Sequence, residues 1–548
     1  MKKITEKYKN KYISRKDYVE YLNKKIINNL IIAVRIYIHN ITYIEKELKN
    51  NSILLSNING YSLDKQQRLA VVSDEDNTLI VAGAGSGKTL TMVGKIIYLI
   101  ESKKIKEEEI LCISFTNEST KSLRKAITKN KEYKVEVKTF HKLALDIISK
   151  SNKKYNISPP ETLELIIEEY FGIEIINDNQ YNYYLIEYLK YFYKEPKLEE
   201  EYLTNLKRVI ITFINTFKAN GMRKEDFINL FTRKNNKKNT LLLLLIYKIY
   251  TLYQEELNNN KEVDFNDMID IATQLIKEDK VNLNYKYILI DEYQDTSTTR
   301  YLLIKAIIDN TLSKLIVVGD DFQSIYAFTG CNLNIFLNFK KYFGYTKILK
   351  IENTYRCSKE LINVAGRFVM KNKKQLRKTL KSSKSIKKPI IMCIYNNFLK
   401  KIEKVINHIY SENKEPILIL GRNNKDLLLL EGNDLFTVKD NKITYNLNKE
   451  INIYFLTAHK SKGLEAENVI IINLINDTVG FPNKIPDLDI VKIINNRSDA
   501  EIYEERRLFY VAITRTKNKV YLMVPFNNKS IFIKELIKDY KNVILFLK

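Results

Sequence analysis

Short apolar segments alternate with longer segments of helical periodicity along most of the chain. The short segments are apolar at consecutive positions rather than at every second one, which is typical of parallel strands buried on both faces. One series lies at 79–82, 110–115, 135–139, 287–290 and 315–318, and a second at 347–351, 390–394, 417–420, 452–456, 469–473 and 520–524. This alternation predicts two α/β domains, each a doubly wound parallel sheet flanked by helices.

Two regions depart from the alternation. Residues 1–60 place Ile, Leu and Tyr at helical spacing among Lys, Asn and Glu, and Tyr-, Leu- and Ile-rich helical patterns replace the strands between about 142 and 262. We therefore expect a helical extension at 1–60 that packs on the following domain, with a partner-binding arm as the alternative. A first α/β domain at 61–312 with a helical insertion at about 142–262 and a second α/β domain at 313–548 should follow.

A glycine-rich turn follows the first predicted strand. Residues 78–89 read TLIVAGAGSGKT, a glycine-rich turn that ends in G-K-T between a strand and a helix, as in a phosphate-binding P-loop. Ala82 stands at the first position of the pattern G-x-x-x-x-G-K-[S/T]. Glycine lets backbone N–H groups curl around phosphate oxygens at a helix N-terminus. Lys88 would reach the β- and γ-phosphates of a nucleoside triphosphate, and the Thr89 hydroxyl would ligate Mg²⁺. The expected nucleotide contacts here are Ala82, Gly83, Ala84, Gly85, Ser86, Gly87, Lys88, Thr89 and Leu90.

The predicted strand 287–290 ends in two adjacent carboxylates, Asp291 and Glu292. A P-loop NTPase needs one acid at a strand end for the magnesium shell and another group to orient the attacking water. We assign Asp291 to the metal and Glu292 to the water, as general base. A solvated acidic turn is the alternative interpretation.

Composition adds little to these motifs. The 548 residues carry 90 Lys and Arg against 65 Asp and Glu, a formal net charge of +25. That sign suits a polyanion, but a Lys-, Asn- and Ile-rich composition scatters lysine over every solvated face, so charge supports nucleic acid only weakly. Four Cys without a C-x-x-C pattern are typical of reduced intracellular thiols, and no segment resembles a signal peptide or a membrane span. We therefore expect a cytoplasmic protein without membrane contact.

Further segments follow in a recognisable order. They read LDKQQ at 63–67, FTN at 115–117, TFH at 139–141, DEYQD at 291–295, VGDDFQSIY at 318–326, NTYR at 353–356, TAHKSKGLE at 457–465 and ERRLFYVAITR at 505–515. With these residues the chain resembles the UvrD/Rep-type superfamily 1 DNA helicases from about residue 61 to 516. The short interval between Arg356 and Thr457, with GDDFQ at 319–323 and QLRKTL at 375–380, is most similar to the DNA helicase IV branch.

The resemblance implies two RecA-like P-loop NTPase-type domains with ATP and Mg²⁺ between them, and a large second accessory domain that is absent or vestigial. It implies adenine reading by Gln67, adenine stacking by Tyr355, ribose contact by Glu465, γ-phosphate sensing by Gln323, and arginine fingers at Arg356 and Arg515. The implied catalytic set is Lys88, Glu292, Gln323, Arg356 and Arg515.

The resemblance also implies single-stranded DNA contacts at Phe115, Thr116, Asn117, His141, Tyr326, Phe328, Thr457 and His459. Aromatic side chains at such positions stack on bases without sequence preference, although each aromatic fits a plain core role as well. Three positions depart from the family: Phe328 stands where a tryptophan is usual, Thr329 replaces an arginine, and Leu90 replaces an arginine near the adenine.

We expect an ATP-driven 3′ to 5′ translocase and helicase that engages single-stranded DNA and single-strand/duplex junctions as a monomer or weak oligomer, in DNA repair or recombination. The direction follows from the resemblance alone. One alternative is a DNA-stimulated ATPase that strips proteins from DNA or drives a partner such as a nuclease or repair factor; another is a non-hydrolysing scaffold. The basic run 371–388 is compatible with a phosphate-tracking surface or with a solvated helix.

Overall fold

The computed structural model describes residues 8, 10–22, 29–151, 154–196, 200–233, 236–439, 442–485, 489–494 and 501–547. Two α/β domains, a helical insertion in the first and a helical N-terminal extension confirm the predicted fold class. No helix within these ranges is long and apolar enough to cross a membrane.

The extension consists of α1 (Arg15–Leu22), α2 (Asn29–Asn50) and α3 (Ser52–Ser56) and packs on the first domain. Arg15 N donates to Glu75 Oε1 at 2.7 Å, and the Tyr98 hydroxyl donates to Glu47 Oε2 at 2.6 Å. These bonds fasten the extension to the segment before the first strand and to the helix after the glycine-rich loop.

The first sheet is wholly parallel, with strand order β3-β2-β6-β7-β1-β8. Its strands are β1 (Asn77–Ala82), β2 (Ile110–Ser114), β3 (Glu136–Thr139), β6 (Tyr287–Ile290), β7 (Lys314–Gly319) and β8 (Lys347–Ile351), while β4 (Asn156–Ile157) and β5 (Glu262–Val263) form a separate pair. Its helices are α4 (Lys65–Val72), α5 (Lys88–Glu101), α6 (Asn117–Ile127), α7 (Phe140–Lys150), α13 (Phe265–Lys277), α14 (Thr298–Thr311), α15 (Leu333–Leu337) and α16 (Phe339–Phe343).

The domain boundary expected at residue 312 is wrong. Strand β7 pairs with β1 and β6, and β8 pairs with β1, so the first sheet extends to Ile351. The sequence could not reveal this partner because β8 is an edge strand whose side chains are mostly half-buried or exposed, and such a strand carries no mark of the sheet it joins.

The insertion consists of α8 (Thr162–Gly172), α9 (Asn179–Leu189), α10 (Glu200–Ala219), α11 (Asp226–Thr232) and α12 (Lys237–Asn259), which share one apolar core. A short helix from the second half of the chain, α19 (Asp489–Ile494), packs into this core through Ile490, Val491 and Ile494. Asn220 Nδ2 also donates to the Ile494 carbonyl oxygen at 3.3 Å. The insertion therefore contacts both halves of the chain.

The second sheet has strand order β11-β12-β13-β10-β14-β15-β9-β16 and is parallel except at the antiparallel edge β11-β12-β13. The strands are β9 (Ile390–Tyr395), β10 (Ile417–Gly421), β11 (Phe436–Lys439), β12 (Lys442–Tyr445), β13 (Asn452–Thr457), β14 (Ala466–Ile471), β15 (Thr516–Pro525) and β16 (Ile544–Phe546). The flanking helices are α17 (Lys359–Val369), α18 (Phe398–Glu412), α20 (Glu501–Ile513) and α21 (Ile531–Tyr540). Between Arg356 and Thr457 the described residues form only this sheet, its helices and their connections.

Candidate nucleotide site and DNA interface

The glycine-rich loop lies between β1 and α5 and faces the second domain. Gly85 and Gly87 have φ values of 67° and 75°, a left-handed conformation that suits glycine. A Cβ on Gly85 would lie 2.5 Å from Arg356 Cβ, and one on Gly87 would lie 2.6 Å from Gln67 Nε2. Both glycines therefore allow the loop to approach residues that the sequence assigns to the same nucleotide.

Two observations fit a phosphate and a magnesium ion at this loop. Ser86 Oγ is buried and has no hydrogen-bond partner among the described residues, as expected of a group that binds a ligand. Thr89 and Asp291 offer hydroxyl and carboxylate oxygens, the hard donors that Mg²⁺ prefers. The residues present therefore suit both groups.

Lys88 and Glu292 meet in the centre of the site, with Lys88 Nζ 2.8 Å from Glu292 Oε1. Burial disfavours the charged form of Lys88, but the charges of Glu292, Asp320 and Asp291 outweigh it and raise the pKa of Lys88. Lys88 is therefore a cation held by three surrounding carboxylates.

The two carboxylates after β6 titrate differently. Burial and the Glu292 charge raise the pKa of Asp291 to about 6, whereas Lys88 and Lys462 overcome burial and lower the pKa of Glu292 to about 2. Glu292 has a left-handed backbone with φ of 50°, and its Oε2 accepts a hydrogen bond from Gln294 Nε2 at 2.6 Å. The residue is held in one orientation and ionised at neutral pH, as a general base must be.

The predicted adenine side of the site lies at the start of α4. Gln67 Oε1 accepts from Asp64 N at 2.9 Å and Gln67 Nε2 donates to the Ser86 carbonyl oxygen at 3.0 Å. The Asp64 carboxylate caps α4 and accepts from Asn353 and from the Tyr355 hydroxyl, at 2.9 and 2.8 Å. The sequence interpretation missed Asp64, although its D-x-x-Q spacing is a capping-box pattern.

The two arginines differ in how they are held. Arg515 is only 1% exposed, and it donates to the Val511 and Leu464 carbonyl oxygens at 2.9 and 3.1 Å. Burial and the nearby Arg356 lower the pKa of Arg515 to about 10, so it stays a cation at neutral pH. Arg356 Nε lies 2.8 Å from Glu465 Oε2, so the acid expected at the ribose is paired with a predicted arginine finger in this structure.

Gln323 connects the arginine to the first domain. Its Nε2 donates to Asp320 Oδ2 at 2.5 Å, and its Oε1 accepts from Arg515 Nη2 at 3.4 Å. The structure thus brings Lys88, Glu292, Gln323, Arg356 and Arg515 to one cleft, although their catalytic roles remain predictions.

Part of the predicted DNA interface forms an aromatic cluster. The ring of Phe328 lies 5.6 Å from that of His459 and 6.2 Å from that of Tyr326, and the Tyr326 hydroxyl donates to the His459 carbonyl oxygen at 3.2 Å. Phe328 is 51% exposed, whereas burial and the charges of Arg422 and Lys462 lower the pKa of His459 to about 3. Phe328 is therefore open to a base, and His459 is a neutral neighbour.

The remaining predicted contacts lie at the strand ends of the first domain and near β13. Phe115 is half-buried against Phe140, which favours a partly structural role. Thr116 caps α6 by accepting from Ser119 N at 3.1 Å, and Asn117 beside it is exposed. Thr457 is buried, and its hydroxyl accepts from Lys460 N at 3.3 Å. Thr116 and Thr457 therefore hold local backbone whether or not they contact DNA.

The sequence interpretation missed an aromatic side chain beside His141. The ring of Phe265 is 4.7 Å from that of His141, and Phe265 is 47% exposed. Burial and Arg300 lower the pKa of His141 to about 4, so this pair is also neutral at pH 7. Only the fold brings these two helix-start residues together, and Phe265 becomes a second candidate for base stacking.

Comparison with known proteins agrees with this geometry. The model of the UvrD/REP helicase N-terminal domain matches residues 63–344, which is more than half of the chain, and that of the UvrD-like helicase C-terminal domain matches residues 429–525. The chain belongs to the UvrD/REP helicase family.

Curated relatives of this UvrD/REP family member are similar to it over most of its length. DNA helicase IV of Escherichia coli strain K12 is 27% identical over 91% of this chain and 74% of its own length. The ATP-dependent DNA helicase Rep of Buchnera aphidicola subsp. Acyrthosiphon pisum strain APS is 30% identical over 72% of this chain and 58% of its own length. The chain thus spans about three quarters of the first relative and just over half of the second.

In this UvrD/REP family member a further missed residue, Lys462, joins the two halves of the site. Lys462 Nζ lies 2.5 Å from Asp295 Oδ2 and donates to the Gln323 carbonyl oxygen at 2.8 Å. It also lies 4.8 Å from the centre of the Tyr326 ring. A single ammonium group therefore contacts the segment of Gln323, the predicted γ-phosphate sensor, and the aromatic cluster.

Proposed function

We propose that this chain is an ATP-driven single-stranded DNA translocase and helicase that moves 3′ to 5′ and engages single-strand/duplex junctions. The observation that carries the proposal is the composite cleft, where Lys88 and Glu292 face Arg356 and Arg515 across the γ-phosphate sensor Gln323. The direction of movement rests on the family resemblance.

Hydrolysis would begin with an exchange of partners. When Lys88 leaves Glu292 for the γ-phosphate, a Glu292 oxygen becomes available to orient and deprotonate the attacking water. The pKa of Glu292 rises as Lys88 moves away, because the Lys88 charge lowers it. Thr89 and Asp291 would hold Mg²⁺, which would neutralise charge on the β- and γ-phosphates.

The arginines would link hydrolysis to closure of the cleft. Arg515 is rigid because backbone carbonyls hold it, whereas Arg356 must exchange Glu465 for phosphate. Two guanidinium groups at the γ-phosphate stabilise transition-state charge only when the cleft is closed. Lys462 offers a route by which this closure reaches Tyr326 and the bases stacked beside it.

A second candidate is a DNA-stimulated ATPase that displaces proteins or drives a partner nuclease, with little unwinding of its own. The absence of a separate accessory domain in the described residues between 356 and 457 favours it. Both candidates need ATP and single-stranded DNA, and they differ in the separation of bare duplex.

The test combines hydrolysis, translocation and unwinding. We expect single-stranded DNA to stimulate ATP hydrolysis, displacement of streptavidin from the 5′ end of a biotinylated strand, and separation of duplexes with a 3′ tail. Hydrolysis and displacement without strand separation would favour the second candidate. Stimulated displacement from the 3′ end alone would contradict the proposed direction.

Lys88→Ala and Glu292→Gln are each expected to abolish stimulated hydrolysis in a folded protein. Lys104→Ala and Glu108→Gln are matched controls, because both residues are exposed between α5 and β2, at the opposite edge of the sheet. Stimulated hydrolysis that survives both cleft substitutions would overturn the enzymatic proposal.

A further inference from the structure

The basic run 371–388 is neither a solvated helix nor wholly a surface track. It has irregular backbone and passes beneath the glycine-rich loop. Leu380 packs so closely on Gly83 there that a Cβ added to Gly83 would clash with it. Leu376 packs with the core of the first domain and Leu380 with that of the second. The run therefore connects α17 of the second domain to the floor of the nucleotide site.

One lysine of this run is fully buried. The Lys378 side chain has no exposed surface, and its Nζ contacts Asp320 Oδ1 and lies 2.8 Å from Asp321 Oδ1. The ammonium group also lies 3.8 Å from the centre of the Phe322 ring and 3.4 Å from the Ala82 carbonyl oxygen, at the end of β1. A buried ammonium with two carboxylates and a ring face is a fixed charge, not a DNA contact.

The two carboxylates have different further partners. Asp320 Oδ2 accepts from Gln323 Nε2 at 2.5 Å, so Asp320 stands directly between Lys378 and the sensor. Asp321 Oδ2 instead accepts from Leu376 N at 2.8 Å and Gln375 Nε2 at 2.6 Å, within the same run as Lys378. Lys378 thus holds Asp320, Asp320 holds Gln323, and Asp321 holds the run in place.

We propose that Lys378 is a positioning residue for ATP hydrolysis, which fixes Asp320 so that Gln323 is aimed at the γ-phosphate. The inference rests on the proposed function, because it takes Gln323 as the sensor. The proposal also gives the run 371–388 a structural role, because this run links α17 to the segment that contains Gln323. Movement of α17 relative to β7 would turn the Gln323 amide through Lys378 and Asp320.

The first test is Lys378→Met, which keeps the length of the side chain and removes its charge. We expect kcat for DNA-stimulated hydrolysis to fall by about 10- to 100-fold, since small misplacements of catalytic groups have effects of that size. The affinity for ADP, which lacks the γ-phosphate, should remain within about 2-fold of the native value. Lys305→Met removes a lysine from an exposed pair with Asp309 on α14 and should change neither quantity.

A double-mutant cycle separates positioning from general support. Gln323→Ala alone should lower kcat. Lys378→Met/Gln323→Ala should be no slower than the slower single variant, because both changes disrupt the same chain of contacts from Lys378 through Asp320 to Gln323. Multiplied losses in the double variant, or an ADP affinity that falls as much as kcat, would overturn the inference.

Lys378→Met leaves two buried carboxylates without their cation, which destabilises the fold. A further variant must therefore separate a folding defect from a loss of positioning. Lys378→Met/Asp321→Asn leaves a single excess carboxylate in the cluster, as in the native protein, and is compared with Asp321→Asn alone by thermal unfolding and hydrolysis. We expect the double variant to lose kcat relative to Asp321→Asn, and equal rates would contradict the inference. A native chain without DNA-stimulated hydrolysis would instead defeat the proposed function.

Discussion

The two α/β domains share an architecture but divide the chemistry of the cleft. The first domain presents backbone N–H groups of the loop at 83–87 and paired charges, Lys88 with Glu292, whose side chains keep 11% and 25% exposure. The second presents Arg515, nearly inaccessible and tied to backbone carbonyls. The first domain is therefore arranged to accept and exchange a ligand, and the second to keep the Arg515 guanidinium in a fixed position.

This difference predicts different kinetic signatures. Changes in the first half should alter nucleotide binding, whereas changes in the second should alter chemistry and leave nucleotide binding intact. Arg515→Ala and Gln67→Ala test this contrast directly, and two further measurements test the predicted DNA contacts and the buried histidines.

The largest effect is expected for Arg515→Ala. We expect kcat to fall by about 10³-fold or more, as for other arginine fingers, with the affinity for ADP retained. Thermal unfolding should occur at lower temperature, because the carbonyl oxygens of Val511 and Leu464 each lose a hydrogen bond from Arg515. Arg506→Ala changes an arginine that is paired with Glu535 and lies on α20, the helix that precedes Arg515; this control should lower stability without a comparable loss of kcat.

Gln67→Ala tests the first half. Its amide holds the Ser86 carbonyl oxygen and the start of α4, so we expect KM for ATP to rise by roughly 10-fold while kcat changes little. Steady-state hydrolysis at saturating single-stranded DNA measures both constants. A loss confined to kcat would contradict the division between the two halves.

Phe328→Ala and Phe265→Ala compare the two exposed aromatic positions. Each should weaken single-stranded DNA binding by ~1–3 kcal/mol, the range measured for one stacked base. Fluorescence anisotropy with a short oligonucleotide measures the affinity. Tyr61→Ala removes an aromatic side chain that is 64% exposed outside the predicted interface, and equal weakening by this variant would contradict base stacking.

The smallest effect is a pH dependence. The pKa values of His141 and His459 fall from 6.5 to about 4 and about 3, so the unfolded chain binds more protons than the folded one below pH 6.5. These histidines should therefore lower the free energy of unfolding as pH falls below 6.5 and leave DNA affinity unchanged between pH 7 and 8. Chemical denaturation of His459→Gln should show a shallower acid slope, and an unchanged slope would contradict this assignment.

The sequence predicts most of the fold because buried parallel strands and the glycine-rich loop are local signals. It could not assign β8 to the first sheet, because an edge strand shows no partner, and it missed β11 and β12, which form a short antiparallel edge. The expected cleft residues do meet, since motifs at the carboxyl ends of strands share one edge. Phe265 was missed because its significance lies in a contact with His141, far away in sequence.

The lysines of the basic run show that composition does not reveal which charged side chains are buried. The run 371–388 is rich in lysine, yet the side chain of Lys378 has no exposed surface while Lys373 is exposed. Nothing in the pattern separates them, because the two carboxylates that surround Lys378 lie more than fifty residues earlier. The pairing depends on tertiary structure alone.

The short helix α19 has a mechanical consequence. It leaves the second domain between β14 and α20 and buries Ile490, Val491 and Ile494 in the core of the insertion. Withdrawing these side chains would forfeit about 1.5–3 kcal/mol for each one. A cleft that opens without this loss must carry the insertion along with the second domain, and that movement would instead break the ion pairs of Lys218 with Asp264 and Asp267 at the start of α13.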